Sequence, residues 1–304
     1  MFGAIEAGGT KFVCAVGSDP GDLTIMQVPT TSPQVTAAQA IDFLRARSDG
    51  KLQAVGIGSF GPIDLSPSSP TFGHITSTPK LSWQNFDFVG TVRAGLDVPI
   101  GFDTDVNAAA LAEARWGAAQ YISDFVYLTV GTGIGGGAFV NGQILHGMLH
   151  PEMGHIRIPH DCQRDPYPGC CPFHNDCLEG LASGPAIQKR WGKPASELPM
   201  DHPAWALEAH YLALGLANWV CTLSPRRIVL GGGVTQNEWL FPLIRGELVR
   251  LLNGYVQSTE LTRNLDQYVV PAMLGNRAGI AGALALAQQA YQEHRNHSTS
   301  KGYS

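Results

Sequence analysis

The chain has 304 residues, of which 44% are hydrophobic and 15% are charged, so it is long enough to bury a sizeable core in one large domain or two. Its net charge of −5 gives no reason to expect nucleic acid or an anionic membrane as a partner. It contains no run of about eighteen apolar residues, and its first residues lack the pattern of a secretory signal. We therefore expect a cytoplasmic protein whose six cysteines are reduced thiols or metal ligands rather than a disulfide framework.

The first half of the chain predicts three strands, a helix, a strand, and then a strand that leads directly into a helix. An antiparallel meander is indicated by three short apolar runs, FGAIEA, KFVCAVG and LTIMQVP. Helical spacing follows in TAAQAIDFLRAR, and a buried strand that ends in a glycine loop follows in LQAVGIGSFGP. A strand that runs straight into a helix is indicated by VPIGFDTDVNAAALAEARWG.

The second half predicts a similar order of elements. Strands joined at a glycine-rich turn are indicated by DFVYLTVGTGIGGGAFVNGQILHG, and helices are predicted at residues 184–191 and 203–222. A strand with a glycine loop is predicted at RRIVLGGGV, an amphipathic helix at NEWLFPLIRGELVRLLN, and a last strand and helix at QYVVP and NRAGIAGALALAQQAY. The chain therefore consists of two related halves, and ligands commonly bind in the cleft between such halves.

Each half places a glycine-rich turn between its first two strands. These turns are Gly8-Gly9-Thr10-Lys11 and Gly131-Thr132-Gly133, and a third glycine loop follows at Gly231-Gly232-Gly233. Such loops serve either as tight hairpin turns or as nests whose backbone N–H groups hold phosphate oxygens. The pattern G-x-G-x-x-G occurs from Gly131 to Gly136, but strand-like sequence follows it where a dinucleotide-binding turn needs a helix. The paired loops therefore favour a nucleotide-binding protein over a dinucleotide-binding one.

One carboxylate stands where the strand in DTDVNAAA meets its helix. Asp105 at this position can cap the helix N-terminus. It can also orient a substrate hydroxyl and accept its proton, which is the task of the base in a kinase. Asp103, two residues earlier on the same strand, is the competing candidate.

Three cysteines and a histidine lie close together in CCPFHNDC, residues 170–177. Cys171, His174 and Cys177 have C-x2-H-x2-C spacing, and they offer the nitrogen and sulfur ligands that zinc prefers. Cys170 is an alternative to Cys171, and a thiol cluster without metal is an alternative to a metal site. A closed tetrahedral site needs a fourth ligand, for which the candidates are His150, His155, His160 and Cys162. The spacing therefore predicts a zinc site of structural type.

Seven motifs along the chain occur in the order seen in ROK-family sugar kinases: EAGGTK, GIGSFGP, DTDVNAAALAE, VGTGIGGG, HPEMGH, CLEGLASGPA and LGGG. The chain resembles that family over residues 2–290, and its CPFHNDC loop is similar to that of the family's bacterial fructokinases. The resemblance implies an α/β, actin-like ATPase (ribonuclease H-like) duplicated fold with two lobes around a cleft. We accordingly predict an N-terminal lobe at residues 1–117, a C-terminal lobe at residues 118–291, and a polar tail at residues 292–304.

The resemblance also implies an activity, namely ATP-dependent transfer of the γ-phosphoryl group to the 6-hydroxyl of D-fructose. The implied general base is Asp105, and the implied sugar-binding residues are Asn107, Glu152, His155 and Glu179. The implied nucleotide-binding residues are Gly8, Gly9, Thr10, Lys11, Thr132, Gly133, Gly180, Gly231, Gly232 and Gly233. His155 matches a family position at which it serves as the fourth zinc ligand, beside Cys171, His174 and Cys177.

ATP, Mg²⁺ and a structural Zn²⁺ are the implied cofactors, and a homodimer is expected on family grounds. Two positions depart from the family pattern. Glu6 stands where the family usually has Asp, which bears on magnesium binding, and Thr104 stands where many glucokinases have Asn, which bears on one sugar contact. The alternative functions are a ROK kinase for glucose, mannose or an N-acetylhexosamine, and a non-catalytic sugar-sensing module.

Overall fold

The computed structural model describes the backbone of residues 1–300 and the side chains of residues 1–298. The chain forms two compact units. Unit 1 comprises residues 1–115, 146–150 and 276–300, and unit 2 comprises residues 116–145 and 151–275. Each unit contains one five-stranded sheet.

Unit 1 begins with the antiparallel meander that the sequence predicts. Its strands are β1 (Phe2–Ala7), β2 (Lys11–Gly17), β3 (Thr24–Pro29), β4 (Val55–Ser59), β5 (His74–Ile75), β6 (Phe86–Asp87) and β7 (Ile100–Thr104). Its first helices are α1 (Pro33–Ser48), α2 (Phe88–Leu96) and α3 (Asp105–Trp116). The main sheet has the order β3-β2-β1-β4-β7, in which β1, β4 and β7 run parallel. The carboxyl ends of these three strands therefore lie at one edge of the sheet.

The segment between β4 and β7 contains elements that the sequence pattern did not predict. β5 and β6 have two residues each and pair with one another, so they are too short to show an alternating pattern. Their neighbourhood is held together by aromatic packing, because Trp83 is 1% exposed and its ring contacts those of Phe12, Phe86 and Phe88. This cluster joins the hydrophobic core of unit 1.

Unit 2 repeats the arrangement of unit 1. Its strands are β8 (Phe125–Val130), β9 (Ile134–Val140), β10 (Gln143–Ile144), β11 (Arg227–Gly231) and β12 (Val269–Pro271). Its helices are α4 (Leu178–Ala182), α5 (Gly184–Trp191), α6 (Ala204–Leu223), α7 (Leu240–Leu252), α8 (Thr259–Thr262) and α9 (Leu265–Tyr268). The sheet has the order β10-β9-β8-β11-β12, in which β8, β11 and β12 run parallel. Two sheets with the same order of strands confirm the predicted duplication.

The last helix, α10 (Ala278–Ser300), packs directly on the sheet of unit 1. Glycines in the sheet make this approach possible, since a Cβ on Gly56 would lie 1.8 Å from the carbonyl oxygen of Ala283. The predicted division at residues 117 and 118 lies near the first boundary of the units, whereas the last helix was predicted in the C-terminal lobe and joins unit 1 instead. The predicted polar tail, residues 292–304, starts inside α10. Residues 301–304 of this tail lie outside the described part of the chain.

Within residues 1–300, no helix combines the length and the apolar composition needed to cross a membrane.

Candidate active site

The sheet edge of unit 1 gathers the first glycine loop and the candidate base. The loop follows β1, Asp105 follows β7, and both strands present their carboxyl ends at this edge. Ligands of open α/β sheets bind outside the carboxyl ends of parallel strands. This edge is therefore the part of unit 1 where chemistry is expected.

The first glycine loop is a tight turn between β1 and β2. The N–H of Gly8 donates to the carbonyl oxygen of Lys11 at 3.0 Å, and a Cβ on Gly8 would lie 2.8 Å from that oxygen. The hydroxyl of Thr30 donates to the carbonyl oxygen of Gly8 at 2.7 Å. Thr10 is exposed, and the ammonium of Lys11 donates to the side chain of Gln27 at 3.3 Å. The loop backbone is thus fixed while Thr10 faces solvent.

Lys80 is a cation near this loop that sequence reasoning missed. Its Cε lies 3.3 Å from the position that a Cβ on Gly9 would take. No motif marks Lys80, because its approach to the loop results from the irregular segment between β5 and β6. The structure therefore adds a second lysine to the surroundings of the Gly8–Lys11 turn.

Asp105 is the first residue of α3 and is partly exposed. The capping role that Asp105 can fill is taken by Thr104, whose hydroxyl accepts a hydrogen bond from the N–H of Asn107 at 3.1 Å. One carboxylate oxygen of Asp105 accepts from the N–H of Val106 at 2.9 Å. Thr104 itself is 3% exposed, so its side chain serves the helix rather than a ligand.

Asp103, the competing candidate, is buried and surrounded by donors. It is 3% exposed, and its carboxylate accepts from the N–H of Thr104 at 2.7 Å and from the side-chain amide of Asn107 at 2.7 Å. Its second oxygen pairs with Nε2 of His146 at 2.9 Å. Asn107, an expected sugar contact, is fully buried, and its side-chain oxygen has no partner within the described residues. These contacts hold the Asp103 carboxylate and Asn107 inside the fold, whereas Asp105 is partly exposed.

His146 is a second residue that sequence reasoning missed, since only the fold brings it to Asp103. The hydrogen bond to Asp103 raises the pKa of His146 above its ordinary value, and partial burial opposes this shift. A group whose pKa is raised by folding stabilises the folded state fully below its unfolded pKa of about 6.5, and this contribution is lost as the pH rises through the folded pKa.

We therefore expect His146→Ala to lower the free energy of unfolding most at pH below about 6.5, where the imidazolium is paired in the native protein. The expected loss is modest because 42% of the side-chain surface is exposed. Urea denaturation of both proteins at a series of pH values measures the difference. A loss that grows with rising pH would contradict the pairing.

Glu6, the residue that stands where the family usually has Asp, ends near the N-terminus of α10. Its carboxylate accepts a hydrogen bond from the N–H of Ile280, and a Cβ on Gly279 would lie 2.4 Å from its carboxyl carbon. Burial raises the pKa of Glu6, whereas the positive charge of Lys11 and the bond from Ile280 act in the opposite direction. Tight packing against Glu6 therefore explains the glycine at position 279.

The sheet edge of unit 2 gathers the other two glycine loops, because β8 and β11 are parallel neighbours. A Cβ on Gly131 would lie 3.9 Å from the backbone nitrogen of Gly233, so the loops lie side by side. Gly232 has a φ of 92° and sits against the backbone of Val130, a conformation that favours glycine. Thr132, in the loop of residues 131–133, is exposed. The two loops together form a backbone-lined surface suited to a nucleotide.

Two carboxylates of unit 2 lie close enough to influence each other. Burial raises the pKa of Glu152, and the negative charge of Glu179 raises it further, although part of the Glu152 side chain is exposed. Glu179 lies in the first turn of α4 and accepts the N–H of Ile134 at 2.9 Å. Gly180 is buried beside it, where a Cβ would lie 1.8 Å from the carbonyl oxygen of Asn175. Gly180 therefore packs against the cysteine-rich loop.

The four predicted metal ligands converge. The ligand atoms of His155, Cys171, His174 and Cys177 all lie within 4.8 Å of one another. Sγ of Cys171 lies 3.7 Å from Nδ1 of His155 and 3.6 Å from Nδ1 of His174, and Sγ of Cys177 lies 3.6 Å from Nδ1 of His155. A tetrahedron around zinc with arms of about 2.0–2.3 Å has edges of about 3.3–3.8 Å. The cluster therefore has the donor set and the size that zinc requires.

The alternative ligands lie elsewhere. Cys170 is outside the cluster, and Cys162 is exposed near His160. His160 bonds to the backbone of Asp165 instead. His150 belongs to unit 1, where its Nε2 accepts the N–H of Ile63 at 3.2 Å. The structure thus brings together the ligands that the family match implied.

Comparison with known proteins matches nearly the whole chain to one protein family. The family model described as ROK family matches residues 2–290. A fructokinase from Pediococcus pentosaceus is 43% identical, with 95% of this chain and 98% of the relative covered. A fructokinase from Lactococcus lactis subsp. cremoris is 41% identical, with 94% and 96% covered. A glucokinase from Halalkalibacterium halodurans is 26% identical, with 94% of each chain covered.

Solved structures agree with the architecture. The ROK hexokinase from Thermus thermophilus has a TM-score of 0.76 at 28% identity, with 96% of this chain and 99% of that chain covered. The ROK family glucokinase from Streptomyces griseus, in complex with glucose and AMPPNP, has a TM-score of 0.74 at 27% identity, with 95% and 99% covered. These neighbours confirm the predicted α/β, actin-like ATPase fold.

Proposed function

The chain belongs to the ROK family, and on that premise we propose that it is an ATP-dependent fructokinase that phosphorylates the 6-hydroxyl of D-fructose. The single observation that carries the kinase activity is that Asp105, which is partly exposed at the carboxyl end of β7, lies at the same sheet edge as a fixed glycine turn. The choice of fructose is supported by relatives named fructokinases at 41–43% identity, compared with 26% for a glucokinase.

Asp105 acts as the general base in this proposal. Its carboxylate orients the 6-hydroxyl of the sugar and accepts the hydroxyl proton as the oxygen bonds to the γ-phosphorus, while the bond between the γ-phosphorus and the β–γ bridging oxygen breaks and ADP leaves. Asp103 is buried among three donors, so its carboxylate holds Asn107 and His146 instead. Asn107 then supports the start of α3 without touching the sugar.

Glu152, His155 and Glu179 bind the sugar in this proposal. Each carboxylate can accept hydrogen bonds from two neighbouring hydroxyls, so two of them suit a polyol ring. Burial, and then the nearby negative charge of Glu179, raise the pKa of Glu152, and hydroxyl donors from a sugar would stabilise two carboxylates placed so close together. His155 has two ring nitrogens, and Nδ1 faces the two cysteines of the metal cluster, which leaves Nε2 for the sugar.

The glycine loops bind the nucleotide. Backbone N–H groups of the Gly8–Lys11 turn and of residues 131–133 hold phosphate oxygens, with Lys80 as an added cation, and residues 231–233 hold the adenosine. Glu6, near the end of β1, is the acidic side chain that would hold Mg²⁺, and the ion would neutralise charge on the phosphates. Zn²⁺ fits the cluster of His155, Cys171, His174 and Cys177, where it serves the structure.

The preferred sugar is tested by kcat/KM. We expect D-fructose to exceed D-glucose, D-mannose and N-acetylglucosamine when all four are measured with one enzyme batch at saturating MgATP. Thr104 contributes to this preference, because its buried hydroxyl caps α3 where many glucokinases have an amide. Fructose and glucose differ in the direction of their hydroxyls, so the margin falls below the about 10⁴–10⁵ that a missing hydroxyl produces.

A higher kcat/KM for glucose or N-acetylglucosamine than for fructose would contradict the assignment as a fructokinase. The protein would still be a ROK hexose kinase. The absence of transfer to every sugar would favour a non-catalytic sugar-sensing module. A cytoplasmic location and a homodimer belong to the same proposal, and light scattering of the purified protein checks the dimer.

A further inference from the structure

Two short elements of unit 2 carry metal ligands and also contact the residue that follows the second glycine loop. His155 is the last residue of the 3-10 turn Met153–His155, and Cys177 immediately precedes α4. Ile134 is the first residue of β9, directly after residues 131–133. Both elements contact Ile134: the α4 region contacts its N–H, and the 3-10 turn contacts its carbonyl oxygen.

The first contact runs through α4. Oε2 of Glu179 accepts a hydrogen bond from the N–H of Ile134 at 2.9 Å. The same oxygen lies 2.7 Å from the position that a Cβ on Gly133 would take, so only glycine fits there without displacing it. Just after α4, the N–H of Gly184 donates to the carbonyl oxygen of Gly131 at 2.8 Å. The loop is thus held at both of its ends by the α4 region.

The second contact runs through the 3-10 turn. A Cβ on Gly154 would lie 1.8 Å from the carbonyl oxygen of Ile134, so the backbones of the turn and of β9 touch. Met153 packs against β9 as well, since its sulfur lies 2.6 Å from the position of a Cβ on Gly136. The turn therefore cannot move without shifting the strand that follows the loop.

Backbone interactions also join the segments next to these two elements, including an isolated β-bridge between Arg157 and Cys177. The N–H of Leu178 donates to the carbonyl oxygen of Ile156 at 3.1 Å. The loop between them is largely exposed, including Phe173 and His174. The ligand atoms of His155 and Cys177 face each other at 3.6 Å, so a shared metal ion would tie the turn to α4.

We propose that metal bound at this cluster fixes the second phosphate loop and so raises the affinity for nucleotide, in addition to shaping the sugar pocket. The inference rests on the proposed function, in which residues 131–133 bind phosphate and the cluster binds zinc. Glu179 is the positioning residue that transmits the effect, because it joins α4 to Ile134 and lies on Gly133.

The test measures ADP affinity by calorimetry with the full chain and no sugar, before and after zinc is removed by a chelator. Couplings between sites are typically about 5–150-fold, and we expect metal-free protein to bind ADP more weakly by a factor in that range. Linkage is reciprocal, so ADP must tighten zinc binding by the same factor. Competition with a zinc indicator in the presence and absence of ADP measures that factor independently.

Two variants of Glu179 separate positioning from sugar binding. Glu179→Gln keeps an oxygen that accepts the N–H of Ile134, whereas Glu179→Ala removes it. We expect both to retain zinc, and only Glu179→Ala to bind ADP as weakly as the metal-free protein does. Glu197→Ala, an exposed glutamate of the same unit, is the matched control and should bind ADP like wild type.

Equal ADP affinity with and without zinc would overturn the coupling and leave the kinase proposal intact. A zinc-loaded protein that fails to bind ADP would overturn the nucleotide site itself. If removal of zinc unfolds the protein, the coupling is tested with the Glu179→Ala variant, which is expected to retain zinc. Unchanged ADP affinity in that variant would contradict the inference.

Discussion

Replacement of Asp105 by Asn should lower kcat by about 10²–10⁴-fold, the usual cost of losing a general base. Asn keeps the shape of the side chain and can still accept the N–H of Val106, so α3 should begin as before. It cannot accept the proton of the sugar hydroxyl. The affinities for ATP and fructose should therefore stay close to those of wild type, which calorimetry with each ligand checks.

Two further variants make this result decisive. Asp42→Asn changes an exposed aspartate on α1 and should keep the wild-type kcat. Asp103→Asn disturbs the buried contacts with Asn107 and His146, so it should lower the free energy of unfolding. It should leave Asp105 as the base. An Asp105→Asn enzyme that retains more than about a tenth of kcat would move the base elsewhere, with Asp103 as the first suspect.

Replacement of Cys171 by Ala should abolish the binding of one zinc ion per chain. Wild-type protein should contain about one zinc per chain, and Cys171→Ala should contain well under one, because three ligands would remain. Bound metal stabilises the folded state by mass action, by about 4 kcal/mol when free zinc exceeds its Kd 1,000-fold. Metal analysis and thermal unfolding with added zinc measure the two effects.

The neighbouring cysteine supplies the matched control. Cys170 lies one residue away but outside the cluster, so Cys170→Ala should keep its zinc and its response to added zinc. If Cys170→Ala loses the metal and Cys171→Ala keeps it, the ligand assignment is wrong. Wild-type protein without zinc, even after zinc is supplied, would contradict the metal site as a whole.

Much of the fold follows from periodicity and turn residues. The meander of unit 1, the strand that leads into α3 and the glycine-loop strand β11 were all predicted within a few residues. β5 and β6 were not, because two-residue strands carry no pattern and depend on tertiary contacts around Trp83. The last helix was assigned to the wrong half because helical spacing does not say which sheet a helix covers.

Some residues of the candidate site could likewise be predicted from the sequence, and others could not. The spacing of Cys171, His174 and Cys177 predicted three ligands, while the fourth came from the family match, since His155 is distant in sequence. Lys80 and His146 could not be predicted, because each reaches the site through an irregular segment. Asn107 was expected to contact sugar, and its burial follows from a helix geometry that turns it toward Asp103.

One measurement tests the central proposal most directly. Wild-type protein is mixed with MgATP and ¹³C-labelled D-fructose, and ³¹P and ¹³C NMR identify the phosphorylated carbon while ADP release is counted. The proposed function predicts one ADP for each fructose 6-phosphate formed, and no product on this time scale with Asp105→Asn. Phosphate on another carbon, or ADP release without phosphorylated fructose, would contradict it.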